Sequence, residues 1–245
     1  MLYHGDMFRP CGGFAQYAIQ CASTLTGHPD LPSVQAAAVP CAGWTAWRAL
    51  VDKLKINKNH TLFISGGAGG VGSFAIQIAK HLGLRTIITT CSEKNRHHVL
   101  NLGATHVINY KKENTVQRIL EITHGQGVHR GLDCVGYDTD IHVANALGFE
   151  GEMVELVDDV RPAHYTDAFM KGLSFHQLSL RAGHRNGPEA EAALRKAGQQ
   201  FANLIDTGNL VIPVSQTVSI EDVGPALKEI LNQRTVGKIV LKNEN

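Results

Sequence analysis

From residue 61 onward, short apolar runs alternate with longer stretches in which apolar side chains return every three or four positions. Thr61-Leu62-Phe63-Ile64-Ser65, Thr86 to Thr90, Val107-Ile108-Asn109-Tyr110, Gly131 to Val135, Gly151 to Val157 and Phe175 to Leu180 read as strands. Between them, Val71 to Leu82 places Phe74, Ile78 and Leu82 on one helical face and stops at Gly83. Asn95 to Leu102 is a helix closed by Gly103. Asn114 to Thr123 is amphipathic, and His142 to Leu147 is a fourth helix. Strands alternating with helices through short loops predict parallel strands joined by right-handed crossovers. The expected fold is α/β, a doubly wound parallel sheet.

The flanks follow other rules. Pro32 and Ser33 open a helix over 33–54 with Ala36, Ala37, Val39, Trp44, Trp47 and Leu50 as its apolar contacts, and Pro40 should kink or divide it. Residues 1–32 are rich in Gly and Pro, with one apolar stretch, Phe14 to Cys21, expected as a strand. Near the other end, Glu189 to Thr207 and Ile220 to Asn232 are expected helices and Lys238 to Leu241 a last strand. These do not continue the alternation. They are assigned to a second, incomplete module with residues 1–32. The division expected is 1–32, 33–184 as the α/β domain, and 185–245 returning to the first module.

Gly67-x-Gly69-x-x-Gly72 lies directly after a strand and opens a helix. The motif alone is weak, but this context is the one that gives it meaning. The first glycine permits a tight turn, the second admits a pyrophosphate close to the backbone, and the third lets the helix pack on the strand. Free amides at the helix start then face an anion. This is a Rossmann-type dinucleotide-binding unit, and it points to hydride transfer with a nicotinamide cofactor.

The tip of the second strand bears on which cofactor. A carboxylate there would bond the 2′-hydroxyl of NAD. The sequence reads Thr89-Thr90-Cys91-Ser92-Glu93-Lys94-Asn95-Arg96, without a carboxylate at the tip itself. Ser92, Lys94 and Arg96 suit a 2′-phosphate, so NADP is expected over NAD. Glu93 is the counter-evidence, and Ser92 as a helix cap is the alternative use of that residue.

Composition narrows the field. A net charge of +1 argues against a nucleic-acid or membrane-surface role driven by bulk charge. No apolar run approaches the ~20 residues needed to cross a bilayer, and the first residues have no apolar signal region. Five cysteines, Cys11, Cys21, Cys41, Cys91 and Cys134, are odd in number and widely spaced, which suits a reducing cytoplasm. No Gly-x-Ser-x-Gly elbow or Walker loop is present. Asp158-Asp159 reads as a turn rather than a catalytic dyad.

Taken together, Gly13-Phe14-Ala15-Gln16-Tyr17, the stretch Ala36 to Ala46, Gly66 to Gly72, Leu102-Gly103-Ala104, Val107-Ile108-Asn109-Tyr110 and Asp133-Cys134-Val135-Gly136 resemble the medium-chain dehydrogenase/reductase family. The resemblance runs from about Gly12 onward and is strongest to the quinone reductase branch. It implies a Rossmann domain with remnants of a GroES-like catalytic domain, of which this chain holds the last strand of the N-terminal stretch and the C-terminal return. It implies pyrophosphate contacts at Gly69, Gly70 and Val71, and Ser92, Lys94 and Tyr110 around the adenosine phosphate. Thr45 would pack beside the nicotinamide, and Val135 and Gly136 would line the ribose. For Tyr110 the alternative is packing at the sheet edge.

Cys41 aligns with a catalytic zinc ligand of the alcohol dehydrogenases. A catalytic zinc needs three protein ligands and an open position. Without partners for Cys41, zinc is not expected, and His4 with Cys11 is a remote substitute. The expected activity is NADP(H)-dependent hydride transfer to a quinone, enone or alkenal, or between an alcohol and a carbonyl, with no residue assigned as general acid. The alternatives are a non-catalytic cofactor-binding protein, an alcohol dehydrogenase lacking its first segment and, more weakly, a methyltransferase. A small-molecule substrate and a homodimer paired through the Phe175–Leu180 edge complete the expectations.

Overall fold

The structure is a computed structural model and describes residues 1–6, 12–232 and 235–243. The chain falls into two compact units, one of residues 46–178 and the other of 1–45 with 179–245. These boundaries lie at 45/46 and 178/179, whereas the sequence suggested 32/33 and 184/185.

The first unit is the alternating region. Its strands are β1 (Thr61–Ile64), β2 (Thr86–Cys91), β3 (His106–Asn109), β4 (Val128–Asp133), β5 (Leu147–Glu155) and β6 (Ser174–Gln177). All pair in parallel, in the order β3-β2-β1-β4-β5-β6. This is the Rossmann order. Successive strands build outward from β1 on one side and from β4 on the other. The connection reverses between β1 and β4, and the crevice beyond their carboxyl ends is where such sheets take ligands.

Four helices cross between these strands. They are Gly70–His81, Arg96–Leu102, Thr115–Ile122 and Thr139–Ala146, each within a few residues of expectation. The sheet is buried on both faces, which is why its strands read as apolar runs rather than as alternation. On one face Phe63, Ile88, Ile108, Val128 and Met153 pack with Ile119, Val143, Ala144 and Leu147, and all are essentially inaccessible. The amide of Gln117 is capped by the Asn114 side chain at 3.0 Å, which fixes the start of the third of these helices.

The expected helix at 33–54, which runs across the 45/46 boundary, is divided at Pro40, as the missing amide dictates. Its pieces are α1 (Ser33–Ala37) and α2 (Pro40–Trp47), followed by a wider π-type turn over Arg48–Lys53. Numbering continues as α3 to α6 for the four crossover helices above, and then α7 (Pro188–Asp206). Leu194, Ala197, Gly198, Phe201, Ala202 and Ile205 bury one face of α7. A Cβ on Gly198 would stand 2.7 Å from the Trp44 ring and one on Gly43 would overlap the Phe201 ring, so two glycines let these aromatics seat.

Two expectations fail here. Phe14 to Cys21 forms no strand, and its residues are largely exposed. A lone apolar stretch has no neighbouring strand to take its backbone bonds; among the described residues the Ala15 carbonyl accepts from the Asn243 side chain and the Cys21 carbonyl from Thr24, and no ladder forms. Conversely, β7 (Val214–Val218) was not foreseen. It pairs in parallel with β8 (Lys238–Leu241) through the crossover α8 (Val223–Leu231). Its centre is Ser215-Gln216-Thr217, all exposed, so no apolar alternation marked it.

Phe63→Ala is expected to cost the protein about 3–5 kcal/mol, since the site is enclosed on all sides by sheet and helix. Urea denaturation measures it.

Candidate functional site

The site begins where β1 ends. Gly66 carries φ +66°, a left-handed turn that reverses the chain, and the next amides are fastened to the tip of β2. The Gly66 amide donates to the Thr90 hydroxyl at 3.0 Å and the Gly67 amide to the Thr90 carbonyl at 3.0 Å. α3 then starts at Gly70 with Gly69 as its cap, and no side chain caps it. Its first-turn amides therefore point outward without a side-chain acceptor, at the positive end of the helix dipole.

The glycines do different work. A Cβ on Gly72 would sit 2.4 Å from the Gly66 carbonyl oxygen and 2.7 Å from the Gly67 Cα, so the helix can touch the turn only through a bare backbone. Gly67 is equally hemmed in, 2.1 Å from the Thr89 hydroxyl by the same measure. Gly69 is not. Its nearest neighbour would be 3.4 Å away and its φ is an ordinary −75°. Packing does not demand a glycine there, so the clearance it leaves lies on the outer side, where a ligand would approach.

The tip of β2 leads into a short helical turn, Glu93–Asn95, and then α4. Ser92 does not cap it with its hydroxyl. Glu93 is occupied: one oxygen accepts from Arg96 Nε at 3.0 Å and the other from the Asn109 side chain at 3.2 Å. The Asn109 and Arg96 bonds hold the Glu93 carboxyl below its usual range. Arg96 is thus committed to Glu93, while Lys94 is exposed beside it. Tyr110 is half-exposed at the end of β3, with Lys111 Nζ 5.9 Å from its ring.

Val135 and Gly136 follow β4. The Val135 side chain lies against Gly66, where a Cβ would meet it at 2.7 Å. Gly136 has φ +80° and closes against Val157. The unit from 46 to 178 therefore brings the glycine loop, Ser92, Lys94, Val135 and Gly136 to one edge of the sheet. Thr45 is buried in α2, within the other unit.

Sequence reasoning missed one group at this edge. Ser65, at the entrance to the glycine loop, donates to Asp133 at the end of β4. Opposite Asp133 in the ladder stands Glu155, also buried. Burial, then the Asp133 charge, pushes the Glu155 carboxyl up to about 8, although the amides of Val157 and Asp158 bond it. The available signal was Asp133 within the run Gly131 to Val135; Glu155 shares its strand with Glu150 and Glu152 and did not stand out. Asp158 and Asp159 are turn residues as expected, accepting from the Tyr137 amide at 2.7 Å and the Gln177 side chain at 2.6 Å.

Cys41 is exposed in the first turn of α2. Among the described residues no three His, Cys, Asp or Glu side chains gather to hold a metal. His4 is stacked on His184, with Nδ1 3.1 Å from the latter's Nε2, and Cys11 lies outside the described residues. The described residues do not fit a zinc ion.

Comparison with known proteins assigns the class. Residues 70–196 match the zinc-binding dehydrogenase family, and the chain belongs to it, within the medium-chain dehydrogenases/reductases. The trans-enoyl reductase pgmF of Aspergillus terreus is 35% identical over 252 residues, covering 98% of this chain and 68% of that protein. The phthioceranic/hydroxyphthioceranic acid synthase of Mycobacterium tuberculosis is 29% identical over 235 residues, which are 94% of this chain. This chain spans only 11% of the synthase's length. Among solved structures, Escherichia coli quinone oxidoreductase complexed with NADPH is 30% identical, with a TM-score of 0.73 over 86% of this chain and 67% of that one.

The two glycines predict stability costs of different size. Gly72→Ala should cost about 2–3 kcal/mol because backbone must move. Gly69→Ala should cost under about 1 kcal/mol. Thermal and urea melts of the two variants give the comparison.

Proposed function

We propose that this protein is an NADP(H)-dependent oxidoreductase that reduces a carbon–carbon double bond conjugated to a carbonyl, in an enoyl, enone or quinone substrate. The observation that carries it is the uncapped start of α3 behind Gly69, a cradle that the protein's own packing does not need. It fits a pyrophosphate, with Gly70, Val71 and Gly72 at the start of α3 supplying amides, and Gly67 and Gly69, whose own amides donate to the Thr90 and Gly66 carbonyls, supplying the tight turn and the clearance. The likeness to an NADPH-complexed quinone oxidoreductase supports the same cofactor.

Preference for the 2′-phosphate rests on Glu93. An unengaged carboxylate here would favour NAD, but this one is bound to Arg96 and Asn109. Ser92 and Lys94 remain to meet the phosphate, with Tyr110 beside the adenosine and Arg96 acting indirectly through Glu93. Val135 and Gly136 line the ribose, and Thr45 is assigned beside the nicotinamide by family likeness.

NADPH supplies the hydride, which the substrate takes at the carbon β to its carbonyl. The matching proton comes from solvent, since no general acid is assigned. The chain's share is binding, orientation and exclusion of water. The enoyl reading is favoured over the quinone by the identity to the trans-enoyl reductase, which is the higher and extends over nearly the whole chain. A cofactor-binding protein without turnover is the competing reading. NADPH oxidation with an enoyl thioester, and separately with a quinone, decides between them: binding without oxidation of either supports the competitor.

A homodimer is proposed through β6, which among the described residues is an edge strand of its sheet. Light scattering at micromolar concentration should give twice the chain mass, and a monomer contradicts this.

NADPH should bind at least about tenfold more tightly than NADH, the scale of one or two charge-assisted bonds. Lys94→Ala should remove most of that preference while leaving NADH affinity unchanged. Arg96→Ala should also reduce it, by releasing Glu93. Gly69→Ala should weaken both cofactors together. Calorimetric titration reads all three, and equal affinities untouched by Lys94→Ala reject the phosphate assignment.

A further inference from the structure

Asp133 and Glu155 stand opposite each other at the carboxyl ends of β4 and β5, 0% and 1% exposed. Each carboxyl holds chain from a different loop. Asp133 Oδ1 accepts from the Ser65 hydroxyl and from the Val135 amide at 3.0 Å. The Thr139 hydroxyl lies within 2.9 Å of both its oxygens. Ser65 Oγ accepts in turn from the Cys134 amide at 2.9 Å. Glu155 Oε1 accepts from the amides of Val157 at 2.8 Å and Asp158 at 3.1 Å. The entrance of the glycine loop, the 134–136 turn and the 157–158 turn are thus tied to one buried pair of acids.

Among the described residues no cation acts on Glu155. Burial, the Asp133 charge and a side-chain hydrogen bond with Asp133 raise its carboxyl, and only the two amides oppose them. Its Oε2 is buried and has no donor of its own. Two carboxylates side by side in a dry site cannot both ionise without a large penalty, so one proton resides between them. The orphan Oε2 is the atom free to carry it toward Asp133.

We propose that Asp133 and Glu155 share a single proton and serve as a positioning pair, which holds the three loops in the shape that receives the dinucleotide. Loss of the proton sets two charges against each other beneath the loops, and they loosen. The role in binding rests on the cofactor reading above; the shared proton itself does not.

The surroundings leave this proton as the titrating one. Just past β4, the Cys134 thiol is pushed well up by burial and then by the two acids, so it stays neutral. From α6, Asp140 would be raised by burial, but its bonds to Arg161 and Tyr165 outweigh that and hold it low. Burial raises Tyr165 to about 12. Asp158 presents its amide to Glu155 and its carboxylate to Tyr137. From β6, the residue opposite is the neutral Gln177. Since burial and Asp133 push Glu155 up to about 8, the folded protein holds a proton that the unfolded chain releases near the ordinary value of 4.5. Stability from this group is complete below that ordinary value and is lost as pH rises through about 8.

Two measurements test the proposal. Infrared spectra of the wild-type protein at pH 7 should show the carbonyl stretch of a protonated carboxylic acid. The band should fade as pH passes about 8 and be missing in E155Q. NADPH affinity, followed from pH 7 to 9.5, should fall by up to about tenfold for each pH unit once the pair ionises. E155Q, which keeps a donor toward Asp133 at every pH, should flatten that slope. An absent band, a wild-type affinity that does not vary, or an E155Q slope equal to the wild type overturns the proposal. Should E155Q fail to fold, D133N removes the neighbouring charge, and the band should then titrate at lower pH; an unmoved titration is equally fatal. Failure of the cofactor reading looks different: the band is present and titrates, yet NADPH binds at no pH.

Discussion

The constraint on which the candidate site depends is the contact between Gly72 and the backbone of Gly66 and Gly67. It brings the first turn of α3 down onto the end of β1. The helix axis, its dipole and its free amides are then aimed beyond the carboxyl edge of the sheet, at the point where strand order reverses. A side chain at Gly72 would lift the helix off the turn, and one at Gly67 would collide with Thr89 on β2. The bonds from Gly66 and Gly67 to Thr90 carry the constraint sideways, so the tip of β2 and the glycine loop move as one piece. On the proposed function, cofactor choice at Ser92 and Lys94 would depend on the same contact that builds the anion cradle.

On the other side of the reversal the means are polar rather than steric. Ser65 links the glycine loop to Asp133, and Asp133 stands against Glu155. A buried acid pair is a costly way to join loops, and hydrophobic residues of like size would stabilise the sheet as well or better. Its retention at the edge where a ligand is received, rather than deeper in the core, is what links it to the site. The molecule thus holds one half of the cradle by backbone contact and the other by a network whose strength depends on a proton.

Much of this was legible in the residues. The parallel sheet followed from apolar runs such as Thr61–Ile64 alternating with helices stopped by Gly83 and Gly103, because buried parallel strands carry their signal in composition. The glycine loop was legible because strand, turn and helix each left a mark. The phosphate choice was half legible: Lys94 and Ser92 stood out, but only the fold shows Arg96 and Asn109 engaging Glu93. Asp133 was visible within a motif, whereas its meeting with Glu155 depends on β4 and β5 being neighbours in register, which periodicity cannot give. The outer strands were least legible. Phe14–Cys21 looked like a strand but lacks a partner, and Val214–Val218 is one despite its polar centre, because pairing is a property of two segments.

The zinc-binding name of the family and the residues at hand diverge, since Cys41 has no companions among the described residues. Relatives that cover nearly the whole chain include a trans-enoyl reductase and a quinone oxidoreductase, and the proposed function accordingly rests on binding and orientation of the dinucleotide. The most direct test is nuclear magnetic resonance of the backbone amides while NADPH is added. The account predicts that the largest shifts fall on Gly69, Gly70 and Val71 at the start of α3. NADPH binding that leaves those three amides unmoved would contradict it.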